Sequence, residues 1–411
     1  MALNFLWIAF FVVAFVVALF KLIVLGDTEI FKLIIDGMFD SSETAVMKIA
    51  LPLAGVMTFF MGLLNIGEKA GAINFLARIT GPFFSRLFPE IPANHPANGQ
   101  MIMNFSANML GLDNAATPFG LKAMQSLQEL NPNKAVASNA QIMFLVLHSA
   151  GPVLIPLSIM AQRAIYGAVD ASDIFIPCLI ATYVATLTGL LFVAFKQKIN
   201  LLDPVILSWL GGITAFIGVV LWYFSSIPKE EIEKISKVVS NLILFTFIVS
   251  FLLGALRKKV DVFDVFIEGA KGGFETSVRI IPYLVAMLVG ISALRNSGAL
   301  NMVVDGMKYL VALAGMNTDF TDALPTALMH PLSGGGSRAM MIDTMKTFGP
   351  DSFAGRLSCV FQGSADTIFY VIALYFGSVN IKQTRYTLWA GLTADLAGII
   401  TAIWVSYLFF H

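Results

Sequence analysis

Apolar runs of about twenty residues recur along the whole chain, and they restrict its fold more than any other feature. Each run is long enough to cross a hydrocarbon layer about 30 Å thick as a helix. Only helices and closed barrels satisfy their backbone hydrogen bonds in lipid, so these runs predict an all-α polytopic membrane protein. The composition agrees, because 57% of the 411 residues are hydrophobic and 13% are charged. We expect nine spans, at about 3–25, 45–66, 138–160, 173–195, 204–224, 237–256, 277–296, 354–376 and 387–410.

Two polar, glycine-rich segments interrupt this pattern at matching places in the two halves. The first lies at about 98–129 and the second at about 322–348. Irregular backbone survives at membrane depth only where protein or a cavity covers it. Paired interruptions of this kind are typical of the substrate site of a secondary transporter. We therefore expect two re-entrant broken helices, each returning to the side from which it entered.

The lysines and arginines of the short loops predict the orientation in the membrane. With both broken segments re-entrant, most of these basic residues collect on one side. We expect a multi-pass protein of the bacterial plasma membrane, with the N-terminus in the cytoplasm and the C-terminus outside. Polar stretches near 27–44 and 257–276 look amphipathic, and we expect them to lie along the interface.

The two halves of the chain resemble each other. Glu43–Thr44 parallels Glu275–Thr276, and Gly71–Asn74 parallels Gly298–Asn301. Each half then holds four spans and one re-entrant segment, and the span at 204–224 links them, which inverts the second half. Chance similarity between apolar segments is the alternative. The predicted divisions are a first repeat at 1–200, a linking span and loop at 201–236, and a second repeat at 237–411.

The first broken segment has the features of two half-helices. Residues 98–110 are expected to end near Gly111, and Thr117 is expected to cap a second helix with Pro118 at its first position. Backbone N–H groups at such a helix start favour anionic ligand groups. The asparagines supply amide groups for a hydroxyl, a carboxylate or a base edge, or they simply cap the broken ends. The substrate candidates here are Asn104, Asn108, Asn114 and Thr117.

The second broken segment follows the same logic. We expect one piece to end at His330, a break at 333–337, and Ser337 to cap a helix that begins at Arg338. Glycines in the break allow a ligand to approach the backbone, and their spacing does not match a phosphate-binding P-loop. Arg338 is expected to pair either with an anionic substrate or with Asp343. The substrate candidates here are His330, Ser333, Gly335, Ser337 and Arg338.

The spans that follow each break also carry polar residues. Two prolines in the third span predict a kink or local unwinding. Asp366 lies deep in the predicted eighth span, where an ionisable group costs at least ~2.5 kcal/mol and is a functional candidate. Its alternative role is a structural partner for a histidine or an arginine. The added substrate candidates are His148, Ser149, Gln362 and Ser364, and the candidates for coupling an ion are Asp366, Asp395, Glu43 and Glu275.

Other functional classes find little support in the sequence. The four histidines are scattered, and Cys178 and Cys359 lie outside any ligand-spaced motif, so we expect neither a metal site nor a cofactor. A nucleophile elbow is missing, so we do not expect an enzyme. The net charge is zero, which gives no reason to expect a nucleic-acid partner.

The motifs resemble a known family. Asn108–Met124 resembles spore maturation protein A, and Ser277–Asn301 and Gly349–Gly398 resemble spore maturation protein B. Residues 1–200 are thus similar to protein A and 205–411 to protein B, both members of the nucleoside-recognition, or gate, domain family. The resemblance implies kinship with domains of nucleoside and ferrous iron transporters, and a link to dehydration of the spore core. The run from Gly334 to Arg338 is more glycine-rich and basic than the family pattern.

These features favour a secondary transporter of a small polar solute, such as a nucleoside, an amino acid or a similar metabolite. A proton or Na⁺ gradient is expected to drive it, and the two breaks are expected to face each other. The alternative is a passive channel, or a non-transporting membrane scaffold linked to spore-maturation-type processes. An intramembrane enzyme is disfavoured for want of a nucleophile and base. The expected partners are the solute, the coupling ion and the lipid bilayer, and a homo-oligomer is compatible with the pattern.

Overall fold

The computed structural model describes residues 2–92, 94–109, 113–154, 156–315 and 317–411, and confirms that the chain is all-α. Besides helices, this described part contains a single isolated parallel bridge, between Val136 and Gln383. A π-helix at Thr44–Ala50 precedes α3, and a 3₁₀ helix at Asp319–Ala323 precedes α14. The α-helices are α1 Ala2–Leu25, α2 Ile30–Glu43, α3 Leu51–Ala70, α4 Ala72–Leu87, α5 Pro96–Met109, α6 Asp113–Leu130, α7 Asn139–Ser149, α8 Leu157–Ile165, α9 Phe175–Gln197, α10 Pro204–Ser226, α11 Lys229–Arg257, α12 Val262–Asn296, α13 Ala299–Leu313, α14 Leu324–Met329, α15 Gly334–Phe348, α16 Phe353–Gln362, α17 Ile368–Ser378 and α18 Thr387–Phe410.

Four of the described helices are long and apolar enough to cross a membrane. They are Trp7–Leu25, Phe175–Gln197, Pro204–Phe224 and Thr387–Phe410, and they coincide with four of the nine predicted spans. A fifth candidate is a bent pair, Leu284–Asn296 and Ala299–Leu313, whose axes meet at 72°. Asn241–Arg257 and Ile368–Ser378 are shorter apolar helices.

Two of the predicted spans are interrupted. The region 138–160 contains α7 and the start of α8, and the described residues between them, 150–154 and 156, are irregular, so the predicted unwinding at the prolines is confirmed. The region 354–376 is not one helix, as predicted, but α16 and α17 separated by residues 363–367. The helix fails there because a peptide group finds its partner elsewhere: the backbone N–H of Asp366 donates to the carbonyl of Ser149 over 2.7 Å.

Helix α12 also differs from its prediction. It runs without a break for 35 residues, which at 1.5 Å per residue makes it about 52 Å long. The stretch 257–276 is therefore not a separate helix, because most of it forms the first turns of α12, and its expected position along the interface stays a prediction. The other amphipathic stretch, 27–44, does form a separate helix, α2, which buries Ile30 and Ile34.

The chain folds into two compact units, and each takes segments from both halves of the sequence. Unit 1 contains Met1–Phe59, Ser158–Ala171 and Ala270–Gln362, and unit 2 contains Phe60–Leu157, Ser172–Gly269 and Gly363–His411. The units therefore do not coincide with the proposed repeats at 1–200 and 237–411, whose boundaries stay a prediction. Each broken span gives one half-helix to each unit: α7 and α17 belong to unit 2, and α8 and α16 to unit 1.

Unit 2 is built around the helix pair α9 and α18 and the hairpin of α5 and α6. Small residues let α9 and α18 approach closely. A Cβ added to Gly189 would lie 3.2 Å from Ala394 Cβ, and one added to Gly398 would lie 3.2 Å from Ala185 Cβ. Small residues at contacts are how helices pack in lipid, where apolar burial alone gives no driving force.

Unit 1 is built around the hairpin of α14 and α15, with α16 packed against both. Close backbone contact also occurs between α3 and α12, because a Cβ on Gly273 would lie 2.5 Å from the carbonyl oxygen of Met57. The indole of Trp7 in α1 donates to the carbonyl of Ala286 in α12 over 2.9 Å. Contacts between distant parts of the sequence therefore hold this unit together.

Candidate functional site

The first hairpin, α5 and α6, has a shorter break than predicted. Helix α5 ends at Met109, α6 begins at Asp113, and Gly111 lies outside the described residues. The expected N-cap at Thr117 is wrong, because Thr117 lies in the second turn of α6. The next residue, Pro118, lies inside α6, where its missing N–H removes one intrahelical hydrogen bond. The side chain of Asn114 lies outside the described part, so its role stays a prediction.

The broken span that follows supplies a hydrogen-bond donor to the C-terminal end of α5. The backbone N–H of Leu154, in the irregular segment after α7, donates to the carbonyl of Met109 over 2.7 Å. Carbonyls in the last turn of a helix have no partner within the helix. The irregular segment thus provides one for α5.

Two asparagines one turn apart on α5 connect three helices. The Asn104 amide donates to the carbonyl of Ala116 in α6 over 2.7 Å, and its oxygen lies 3.0 Å from Nδ1 of His148 in α7. The Asn108 amide donates to the carbonyl of His148 over 3.0 Å. Since the Asn104 oxygen accepts, Nδ1 of a neutral His148 carries the proton, and its Nε2 is left as an acceptor. Three predicted site residues are therefore brought together.

Tyr375 of α17 joins this group, and the sequence did not single it out. Its ring is fully buried and meets the His148 ring edge-on, with centroids 4.8 Å apart. Its hydroxyl lies near the side chains of Asn104 and Thr117, yet it has no hydrogen-bond partner among the described residues. Gly120 makes room for it, because a Cβ there would lie 2.6 Å from the hydroxyl oxygen. We call Asn104, Asn108, His148 and Tyr375 the polar cluster.

The irregular segment at 363–367 ends beside the polar cluster. The hydrogen bond from Asp366 N–H to the carbonyl of Ser149 places this segment at the end of α7. Asp366 was expected to lie deep in a span helix, but it stands in irregular backbone with an exposed side chain. Ser364 is fully buried, as is most of Asp395 in α18. All of these residues belong to unit 2.

The second hairpin, α14 and α15, also begins its second helix earlier than predicted. Ser333 caps α15 by accepting from the N–H of Gly336 over 3.1 Å. The predicted cap, Ser337, is wrong: it lies inside the helix and donates to the carbonyl of Thr326 over 2.9 Å. The three glycines are therefore the first turn of α15 and not its break. A capping side chain at Ser333 is enough to extend the helix over them.

The remaining candidates of unit 1 lie around this hairpin. His330 is buried at the break, Gly335 is exposed, and Arg338 is half-buried in α15. Gln362 ends α16, and its side-chain oxygen is buried with no hydrogen-bond partner among the described residues. Glu43 and Glu275 are exposed.

Asp343 has a partner that the sequence did not suggest. It forms an ion pair with Arg295 of α12, a residue 48 positions away in the chain. The two breaks belong to different units, and their meeting stays a prediction.

Comparison with known proteins identifies what this arrangement is similar to. The family described as nucleoside recognition (Gate) matches residues 50–166 and 277–382, which together make up more than half of the chain. Spore maturation protein B of Bacillus subtilis (strain 168) is 43% identical over 163 residues, which cover 40% of this chain and 90% of that protein. Spore maturation protein A of the same organism is 38% identical over 150 residues, covering 36% of this chain and 76% of that protein. No solved structure matches the chain.

Proposed function

The chain belongs to the nucleoside-recognition (gate) family, and we propose that it is a secondary membrane transporter whose polar cluster binds a small polar solute. The observation that carries this proposal is the buried Tyr375 hydroxyl, which has no hydrogen-bond partner among the described residues. Buried polar groups in proteins nearly always have a partner, and an exception calls for an explanation. A solute that enters beside the first hairpin would supply that partner.

The chemistry of the polar cluster indicates the class of solute. Its groups are a phenol hydroxyl, two amides and an imidazole, none of which needs a formal charge to donate or accept. Such groups match a solute that carries hydroxyls, amides or ring nitrogens. A nucleoside fits this description, and so do polar amino acids and related metabolites.

Asp366 is the proposed coupling residue for a proton or Na⁺. Its carboxylate is near enough to Tyr375 to act on it electrostatically, and its backbone is bonded to the end of α7. A negative charge on Asp366 beside the polar cluster would make solute binding depend on a bound proton or Na⁺. The Asp366 side chain is exposed, so protein atoms do not block the approach of an ion.

Two further observations favour transport over a passive scaffold. The family match recurs once in each half of the chain, as expected for a transporter built from two repeats. Each half also contains a broken span directly after its hairpin. We place the protein in the bacterial plasma membrane as a multi-pass protein, with the N-terminus in the cytoplasm and the C-terminus outside.

Thermal stabilisation by solutes tests the proposal. Purified protein is melted with a panel of nucleosides, amino acids and short peptides, with and without Na⁺ and across a range of pH. A solute that binds the folded state at 100 times its Kd stabilises it by about 2.7 kcal/mol. Tyr375→Phe removes only the hydroxyl, so the unliganded protein should be as stable as the parent or slightly more so. The same variant should lose the response to the solute.

Tyr370→Phe is the matched control, because Tyr370 lies on the same helix with 62% of its surface exposed. It should respond to the solute like the parent. If the solute raises the melting temperature of Tyr375→Phe as much as that of the parent, the polar cluster is not the solute-binding site. If no compound shifts the melting temperature, the result favours the non-transporting scaffold. Uptake of the stabilising solute into proteoliposomes at the same rate with and without a proton or Na⁺ gradient would favour a passive channel.

A further inference from the structure

We propose that the two halves of this chain are obligate partners, which fold only around each other and stay assembled when the backbone between them is cut. Both compact units contain segments of the N-terminal and the C-terminal half. The chain then behaves as a tethered heterodimer. This inference concerns assembly and does not depend on any solute.

In unit 2, the C-terminal half docks on a loop of the N-terminal half. The loop joins α6 to α7, and the carbonyl of Ala135 accepts from the N–H groups of Lys382 and Gln383 over 2.9 and 3.0 Å. Ala137 N–H donates back to the carbonyl of Gln383 over 2.9 Å. Arg385 then donates to the carbonyl of Ala137 over 3.1 Å. These main-chain hydrogen bonds can form only when the segments from both halves are present.

In unit 1, the same arrangement occurs with the halves exchanged. The loop joins α15 to α16, and the fully buried Arg163 from the end of α8 donates to the carbonyl of Pro350 over 2.6 Å and to the Asp351 carboxylate over 3.1 Å. The second carboxylate oxygen of Asp351 accepts from Val169 N–H over 2.9 Å. In each unit, residues at or just after the end of a half-helix of one repeat thus dock on the loop that follows the hairpin of the other repeat.

Each half alone would expose what these contacts bury. Without the C-terminal half, Arg163 loses the Asp351 carboxylate and the Pro350 carbonyl, and removing the carboxylate from a buried ion pair is strongly destabilising. Helix α9 loses α18, against which Ala185 and Gly189 pack. Without the N-terminal half, the polar cluster loses three of its four members. Neither half retains a complete core.

The comparisons agree with this view of the chain. Spore maturation proteins A and B of Bacillus subtilis are separate proteins of one organism, and each is matched over most of its length. A covalent link between the two kinds of sequence is therefore not a general requirement of the family. The link in this chain passes between α10 and α11 at Ile227–Pro228, which lies between two helices of unit 2.

A cut in the intact, folded protein tests the proposal. A protease site is inserted between Ile227 and Pro228, the full chain is purified in detergent, and its size and melting temperature are measured before and after cleavage. We expect both fragments to elute together at the position of the uncut protein and to melt at nearly the same temperature. A second cut, between Asn200 and Leu201 in the loop from α9 to α10, should give the same result. Fragments that separate on the column, each monodisperse and helical, would overturn the proposal.

A substitution at the contact between the halves sharpens the test. In the cleaved protein, Arg163→Ala should lower the temperature at which the fragments separate. Lys308→Ala is the control, because Lys308 pairs with Asp322 over 2.8 Å within the C-terminal half. It should leave the separation temperature close to that of the unsubstituted cleaved protein. Equal separation temperatures for the two variants would count against the docking contact.

Discussion

Replacing Asn104 by alanine should destabilise the protein more than any other single change in the first hairpin. Asn104 is fully buried, and its amide joins α5 to Ala116 of α6 and to His148 of α7. Alanine makes neither contact. The His148 N–H would then stay buried without this partner, because His148 is less than a tenth exposed. The Ala116 carbonyl loses the Asn104 amide but still accepts from an N–H within α6.

The expected loss follows from the orphaned His148 N–H and from the lost hydrogen bond to Ala116. A buried polar group left without a partner costs about 1–3 kcal/mol and a lost hydrogen bond about 0.5–1.5 kcal/mol, so the variant should lose about 1.5–4.5 kcal/mol of unfolding free energy. A drop in melting temperature of several degrees should follow in a detergent-solubilised melt. A double-mutant cycle with His148→Ala should give a coupling energy of about 0.5–3 kcal/mol, since the two side chains are in contact.

Asn301→Ala is the control for Asn104→Ala. Asn301 is exposed on α13, and surface substitutions of this kind usually stay within about 0.5 kcal/mol of the parent. If Asn104→Ala and Asn301→Ala have the same melting temperature, the two hydrogen bonds do not stabilise the hairpin, and their assigned role is refuted. An additive cycle with His148→Ala would refute the contact between the two side chains alone.

Three further changes give distinct outcomes. Ser333→Ala removes the cap of α15 and should lower stability by about 1 kcal/mol, and no change in the melt would show that the cap is dispensable. Gly273→Ala places a Cβ 2.5 Å from the carbonyl oxygen of Met57 and should lose about 1–3 kcal/mol by overpacking; a melt like that of the parent would rule out the close approach. Gly120→Ala places a Cβ 2.6 Å from the Tyr375 hydroxyl and should reduce the melting shift caused by a bound solute, whereas a full shift would place the solute elsewhere.

A glycine in open space is the control for the two glycine substitutions. A Cβ added to Gly377 in α17 would meet nothing within 4 Å. Gly377→Ala should therefore leave stability unchanged or raise it slightly, because alanine has the higher helix propensity. Destabilisation by this variant would show that glycine is needed in α17 for a reason other than space.

The sequence predicted the parts of the fold that depend on local composition. The spans at 3–25, 173–195, 204–224 and 387–410 are confirmed because a continuous apolar run has few alternatives to a helix in lipid. A hairpin is also present near each predicted break, although glycine and proline do not end a helix wherever they occur, since α6 contains Pro118 and α12 contains Pro282. Asn104, Asn108 and His148 could each be named as candidates because they are polar residues in apolar surroundings, but the sequence did not show that they meet.

The sequence did not predict features that depend on distant partners. The second half-helices begin five residues earlier than expected in the first hairpin and four residues earlier in the second, because local capping signals at Thr117 and Ser337 compete with contacts formed only in the folded chain. Local sequence places Arg163 in a loop, yet it is buried by partners 187 and 188 positions away. Tyr375 resembles any other packing aromatic in sequence, since nothing in its neighbouring residues reveals an unpartnered hydroxyl.

The glycine turn at the start of α15 has a consequence for how the second hairpin moves. Three consecutive glycines make Gly334–Gly336 a weak beginning for a helix, by about 1 kcal/mol per residue relative to alanine. The Ser337 hydroxyl, fixed to the carbonyl of Thr326, limits how far unwinding can spread. The amide of Ser337, bonded to the Ser333 carbonyl over 2.8 Å, should therefore exchange its hydrogen with solvent faster than the amides in the middle of α15. This first turn can open and re-form as a short hinge while the rest of the helix keeps its place.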